Sequence, residues 1–294
     1  MSGLVSIAGA GDNVVDCYRS AGRMFPGGNT VNVAAFAARL GARAAYVGQV
    51  APDSAGEHIA QSLAAEGVDV SRLRRARGRT AYCVIGHDEH GDRAFLSFDL
   101  GVSRFDPSAD DIDALAGFDA VHVGATSGLD QHLEAFASAT RLSYDFATRA
   151  DPDHIARVGR ICFLAVHSGG DLDDTAFAEL LERSEASGAQ WSLVTRGTRG
   201  AVLSHRGRRW SAAARTERPA LDTLGAGDSF AARVLVGILR DEDPPTILAA
   251  AAEIAAETCQ RLGAFGPGIP IDPTILAAGD DSPVLEPLTT KEHR

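Results

Sequence analysis

Short β-rich apolar runs alternate with alanine-rich segments of helical period along nearly the whole chain, and this alternation leaves few folds open. LVSIAGAGDN begins as a strand and ends in a small-residue turn, and VNVAAFAARLGA (residues 31–42) reads as a helix with apolar residues at helical spacing. AAYVGQV is a second strand. SAGEHIAQSLAAEGV opens with an S-x-x-E capping pair at Ser54 and Glu57, runs as an amphipathic helix and stops at Gly67. DAVHVGA, RLSYDFA, RICFLAVH and WSLVTRG follow as strands, with helices in LDQHLEAFASA and DDTAFAELLERSEASGA and none read between RLSYDFA and RICFLAVH. SFAARVLVGILRD and TILAAAAEIAAETCQRLGA close the series as helices. Strands separated by helices imply a mainly parallel sheet covered on both faces, joined by right-handed crossovers. Ligands of such sheets bind beyond the carboxyl ends of the strands.

RTAYCVIGHDEHGDRAFLSFDLG breaks the rhythm: two β-rich runs flank the polar turn at 87–92 with no helix to cover them, so the hairpin is expected to project as a lid. GAVLSHRGRRWSAAA gives two further short strands around 205–208. Arg72, Arg74, Arg75, Arg77 and Arg79 lack interleaved aromatics and read as a solvated connector before the hairpin. The 28 Lys plus Arg against 39 Asp plus Glu, a net charge of -11, argue against nucleic acid or an anionic membrane surface as partner. Cys17, Cys83, Cys162 and Cys259 show no C-x-x-C spacing, the start lacks the basic and apolar regions of a leader, and no apolar run approaches the ~20 residues of a membrane span. A soluble, cytoplasmic protein is expected, with a polar tail from about Ala277 that frays.

The chemistry concentrates in DTLGAGDSFAARVL (residues 222–235). Gly225, Ala226 and Gly227 carry almost no side chain, so backbone N–H groups at a helix N-terminus are open to an anion. Asp228 at that terminus stays ionised, and beside a bound phosphoryl group it is placed to take the proton of an attacking hydroxyl. By itself the stretch fits equally a tight turn before a helix that carries an N-terminal charge. GDNVVD (11–16) and GGNTVN (27–32) place Asp12, Asp16, Gly28, Asn29 and Asn32 around a bare turn: carboxylates and carboxamides that fork onto vicinal sugar hydroxyls, or turn formers and helix caps. WSLVTRGTRGAV ends a strand at Thr195 and Gly197, with Gly200 turning the chain, as phosphate or adenine approach or an ordinary turn requires. Neither a P-loop nor a dinucleotide fingerprint is present, and HDEH at 87–90 reads as a solvated turn.

GGNTVNVAAFAARLGA, VTRGTRGA and DTLGAGDSFAA, in this order and at these separations, resemble the ribokinase-like carbohydrate kinases, the PfkB family, over residues 4–272. The resemblance implies a three-layer α/β/α sandwich with a mainly parallel sheet and a small β lid: a kinase domain at 1–275, its lid formed by about 14–30 and 78–104, and a flexible tail at 276–294. It implies ATP-dependent phosphorylation of a sugar hydroxyl, with magnesium on the nucleotide and a homodimer formed through the lid. By motif match Asp228 is the base, Gly225, Ala226 and Gly227 form the anion hole, and Thr195, Gly197, Thr198 and Gly200 serve the nucleotide. Asp12, Asp16, Gly28, Asn29 and Asn32 face the sugar, Arg93 in the lid meets substrate or phosphate charge, and Asp222 resembles the position that holds a monovalent cation such as potassium.

GDNVVDCY, GGNTVNVA, GDRAF and SYDFA look most like fructoselysine 6-kinase and its relatives; fructose, ribose-like sugars and nucleosides are the other candidate acceptors, and a catalytically weakened sugar or nucleotide sensor is the non-enzyme alternative. Three departures stand out. The N-x-x-E that resemblance leads one to expect after ICFLAV is replaced by HSGGDLDD, leaving Asp171 or Asp173 as substitutes toward magnesium. QVAPDSAG stands where G-D-x-x-G is typical. Arg233 occupies a small-residue position and must either point to solvent or alter helix packing.

Overall fold

The computed structural model describes residues 4–87 and 93–275. The first half runs β1 (Ser6–Ala10), β2 (Val14–Tyr18), β3 (Arg23–Gly27), α1 (Asn29–Arg39), β4 (Arg43–Val50), α2 (Ser54–Ala65), β5 (Asp69–Arg75), β6 (Tyr82–His87), β7 (Arg93–Asp99), α3 (Ala109–Leu115), β8 (Ala120–Gly124) and α4 (Leu133–Ala139). The second continues with β9 (Arg141–Asp145), α5 (Pro152–Gly159), β10 (Cys162–Ser168), α6 (Asp174–Ala186), β11 (Trp191–Thr195), β12 (Ala201–His205), β13 (Arg208–Ala212), α7 (Ala226–Leu239), α8 (Pro244–Thr258) and β14 (Ile269–Pro270). The main sheet has the order β13-β12-β11-β10-β9-β8-β1-β4-β5, with antiparallel pairing only where β12 meets β11 and β13.

Strand alternation splits the apolar residues between two cores. Phe36, Ile59, Leu235 and Leu248 of α1, α2, α7 and α8 pack on one face of the sheet. Leu115, Phe136, Ile155 and Leu180 of α3, α4, α5 and α6 pack on the other, so the expected α/β/α layering is present. The smaller sheet has the order β14-β3-β2-β6-β7. Val15, Cys17, Met24, Tyr82 and Val84 turn one of its faces into the first core. Two rows of side chains cross the opposite face: Phe25, Asp16, Cys83 and Phe98, then Arg23, Tyr18, Ile85 and Phe95. A register shift beside Val84 and Ile85 puts Phe95 and Phe98, three positions apart, on that one face.

Three local expectations are corrected. The cap of α2 is Asp53, not Ser54: its carboxylate accepts from Gly56 N–H and also from Thr80, tying the helix start in QVAPDSAG to the chain entering β6. The arginine-rich connector is in part the edge strand β5, parallel to β4, where Arg72 and Arg74 reach Asp111 and Arg75 pairs with Glu57 at 2.9 Å. A short helix, α5, does separate RLSYDFA from RICFLAVH, capped by Asp151 with Pro152 in its first turn. The hairpin turn at 88–92 and the tail at 276–294 lie outside the described residues. Among the described residues no helix is long and apolar enough to cross a membrane.

Arg233 follows neither of its two expected courses in full. It is 9% exposed in α7, and its guanidinium folds along the helix over Gly237, where a Cβ would come within 2.6 Å of Nη1, to pair with Glu242. The absence of a side chain at Gly237 makes the room that this guanidinium occupies. Removing one partner of such a pair leaves a buried charge, which costs more than replacing the charge by an apolar chain. Glu242→Ala is therefore expected to lower stability by about 2 kcal/mol in urea unfolding, and Arg233→Met by less.

Candidate active site

The carboxyl ends of the parallel strands bring Thr195, Ser168, Asp145, Gly124 and Ala10 to one edge of the main sheet in that order. The N-termini of α1 and α7 meet above this edge, and Asn29, the first residue of α1, joins them. Its Nδ2 donates to Asp145 Oδ2 at 2.9 Å and to Asp228 Oδ1 at 2.8 Å. Its Oδ1 sits 3.0 Å from His122 Nε2, whose other nitrogen lies 2.9 Å from Ser143 Oγ. An amide oxygen only accepts, so Nε2 carries the imidazole proton and the Ser143 hydroxyl donates to Nδ1. Burial holds His122 far below its usual range, at about 3, and therefore neutral. Asn32 Nδ2 donates to Asp228 Oδ2 at 2.6 Å, so both Asp228 oxygens are held.

Loss of hydration pushes the Asp228 carboxyl up to about 6, against the lowering effect of its two asparagine donors, although the residue as a whole keeps some solvent access. Asp145 is pushed further, to about 7, by burial and then by the charge of Asp228. Asp12 is also raised by burial, while Ser127 Oγ at 2.7 Å and Thr126 Oγ1 at 3.0 Å donate to its carboxylate. Three carboxylates thus share one site.

Gly225 caps α7 at φ 78, a left-handed conformation that glycine adopts without strain, and packs on Ala264. The Ala226 N–H reaches Thr223 O at 3.3 Å, whereas no backbone acceptor among the described residues faces the N–H groups of Gly227 and Asp228, and Gly227 opens onto solvent. These are the orphan donors of a helix start, aimed where an anion would lie.

A model of the pfkB family carbohydrate kinases matches residues 6–271. The chain belongs to the pfkB carbohydrate kinase family. It is 36% identical over 270 residues to fructosamine kinase FrlD of Bacillus subtilis (strain 168), covering 90% of this chain and 95% of that one. With fructoselysine 6-kinase of Escherichia coli (strain K12) it shares 32% over 264 residues, covering 88% and 99%. Among solved structures, Arabidopsis thaliana ribokinase complexed with ribose and ATP matches with a TM-score of 0.74 at 18% identity, covering 90% and 95%. Fructokinase from Vibrio cholerae O395, in its fructose, ADP and potassium ion bound form, matches at 0.73 and 22%, with the same coverage. This pfkB kinase is an ATP-dependent sugar kinase, a phosphotransferase acting on a sugar hydroxyl.

The remaining site residues of the pfkB kinase fall into place unevenly. Gly28, at φ 103, lets the turn into α1 close on Asp12 and Asn13, where a Cβ would lie 2.9 Å from Asn13 Cα. Asp16 lies on the small sheet with its carboxylate against Gly27. The Arg93 side chain lies outside the described part. Thr195 ends β11 two strands from Asp145, about 10 Å along the edge at the usual strand spacing, and its hydroxyl donates to His167 O at 3.3 Å. Gly197 and Thr198 are exposed in the following turn, whereas a Cβ at Gly200 would strike Ala212 O, so that glycine serves the approach of β13. In HSGGDLDD, Asp173 caps α6 and Asp174 pairs with Arg196 and Arg199, leaving Asp171 exposed. Sequence reasoning passed over Asp145, His122, Thr126 and Ser127; polar residues ending or interrupting the buried strands β8 and β9 were their only signal.

The charge of Asp228 adds to burial in raising Asp145. Protonated Asp228 cannot accept a proton, so kcat/KM for the sugar is expected to fall about tenfold per pH unit below about 6. Asn29→Leu removes the donors that favour both charged forms, and should move that limb to higher pH in the same profile.

Proposed function

We propose that this kinase phosphorylates the 6-hydroxyl of a fructosamine such as fructoselysine, with Asp228 as the base. The observation that carries the reading is Asp228 itself: a carboxylate held at both oxygens by Asn29 and Asn32, beside the acceptor-less N–H groups at the start of α7. The sugar hydroxyl gives its proton to Asp228 as its oxygen bonds to the γ-phosphorus and the bond to ADP breaks. The N–H groups of Gly225, Gly227 and Asp228 face the charge on the transferring group, while that of Ala226 is held by Thr223 O. Asp12, Asp16, Gly28, Asn29 and Asn32 line the sugar side, and the strand end at Thr195 with the exposed turn at Gly197 and Thr198 receives the nucleotide, Gly200 closing that turn against β13. Three carboxylates and the Oδ1 atoms of Asn13 and Asn32, which meet no donor among the described residues, make the site rich in acceptors, which suits a ligand offering both hydroxyls and an ammonium group. Similarity to a fructosamine kinase and a fructoselysine 6-kinase supports the same substrate class.

Magnesium would travel on the nucleotide: among the described residues no cluster of three His, Cys, Asp or Glu is arranged to hold a metal, and magnesium characteristically binds through substrate phosphates. It would neutralise phosphate charge during transfer. A cytoplasmic location fits cysteines without paired spacing. The edge strand β7 exposes Phe95 at 54% and Phe98 at 44% on one face, and a second copy of the small sheet covering that face gives a homodimer. Light scattering should find the dimer, and Phe98→Asp should shift it toward monomer.

Asp228→Asn is expected to leave folding and ATP binding intact and to cut turnover by at least ~100-fold. A screen over fructoselysine, other fructosamines, fructose, ribose and nucleosides, with the product located by phosphorus NMR, tests the acceptor; preference for an uncharged sugar would overturn the fructosamine assignment.

A further inference from the structure

Asp222, three residues before the anion-binding loop, is 7% exposed and accepts hydrogen bonds at both carboxylate oxygens. Leu224 N–H donates to Oδ1 at 3.1 Å. Gly263 N–H donates to Oδ2 at 3.0 Å, and the Tyr18 hydroxyl donates to the same oxygen. Tyr18 comes from β2 of the small sheet, where Phe25, Ile85, Leu224 and Leu262 pack around it. Burial, and then Asp222 itself, push the phenol's pKa up, so it stays a donor.

A monovalent cation at this position, as the resemblance implies, needs oxygen lone pairs turned toward it. Among the groups on Asp222 are two N–H donors and a hydroxyl whose proton points at the carboxylate, and N–H dipoles in that orientation repel a cation. Three donors also satisfy the carboxylate's charge without an ion. The donor set does not fit the cation.

We propose that the Tyr18 hydroxyl takes the place of a monovalent cation at Asp222 and is a positioning residue for the anion-binding loop. Tyr18 fixes Asp222, Asp222 fixes the Leu224 turn, and that turn delivers Gly225 to the start of α7. The seating of the small sheet and the geometry of the phosphoryl cradle are thereby one variable, and turnover proceeds without potassium.

The test needs wild-type protein first. Initial rates with whichever sugar the acceptor screen identifies are compared in potassium chloride and in tetramethylammonium chloride at equal ionic strength, and thallium NMR reports any specific monovalent site in the presence of ATP. Rates equal within about twofold and a bulk thallium line alone are expected; a tenfold potassium activation or a bound thallium signal overturns the proposal. Thallium NMR reads the site even if no tested sugar is phosphorylated, so an error in the acceptor assignment cannot pass for failure here. Tyr18→Phe keeps the ring and removes only the hydroxyl. It should lower kcat about tenfold with the sugar KM little changed, and added potassium should restore part of the loss. Unchanged kcat in that variant overturns the positioning role, and if the variant does not fold, the wild-type cation comparison still decides the ion's place.

Discussion

One amide side chain carries the geometry of this site. Asn29 must present both N–H groups to two carboxylates, which forces its oxygen toward His122, and His122 is held in one tautomer by Ser143. Two like charges that close repel by about 3 kcal/mol at an effective dielectric of about 20. A hydrogen bond to a charged group contributes about 1.5–3 kcal/mol, so two of them match or exceed the repulsion. Burial, and then the charge of Asp228, still push Asp145 up to about 7, so it is about half-neutral at neutral pH. Asp145 thus keeps Asp228 in place without fixing a second full charge beside it.

The two sheets answer different needs. The main sheet supplies a rigid edge whose strand ends set the spacing of the site. The small sheet has one face buried in the first core and another that runs from Asp16 and Tyr18, near the catalytic loop, out to the exposed Phe98 and Phe95. The Tyr18 hydroxyl on Asp222 and the apolar cluster around Leu224 tie this second face to the loop that leads into α7.

Most of the fold was legible because strand and helix periods alternate cleanly, and the small-residue loop before α7 announced its own chemistry. What sequence reading missed has local physical causes. α5 has only eight residues, too few for a helical period to show, and Asp151 with Pro152 was its only marker. β5 hid because its arginines alternate as an edge strand's residues do, yet read as a charge run. Asp53 displaced Ser54 as the cap because it also reaches Thr80, a partner distant in sequence. Asp145 and His122 became site residues only when α1 laid Asn29 across the ends of β8 and β9, a relation no linear spacing encodes.

The carboxylate-lined site has a further consequence at the end of the cycle. Transfer turns a neutral hydroxyl into a phosphate ester bearing up to two negative charges, made within a pocket that already holds Asp12, Asp145 and Asp228. If these carboxylates orient the acceptor as proposed, the same acidity repels the product, and more strongly once a proton taken by Asp228 has passed to water. On the proposed reading, product departure is driven by the same residues that admit the substrate, and a phosphorylated sugar would be a weak inhibitor of its own formation.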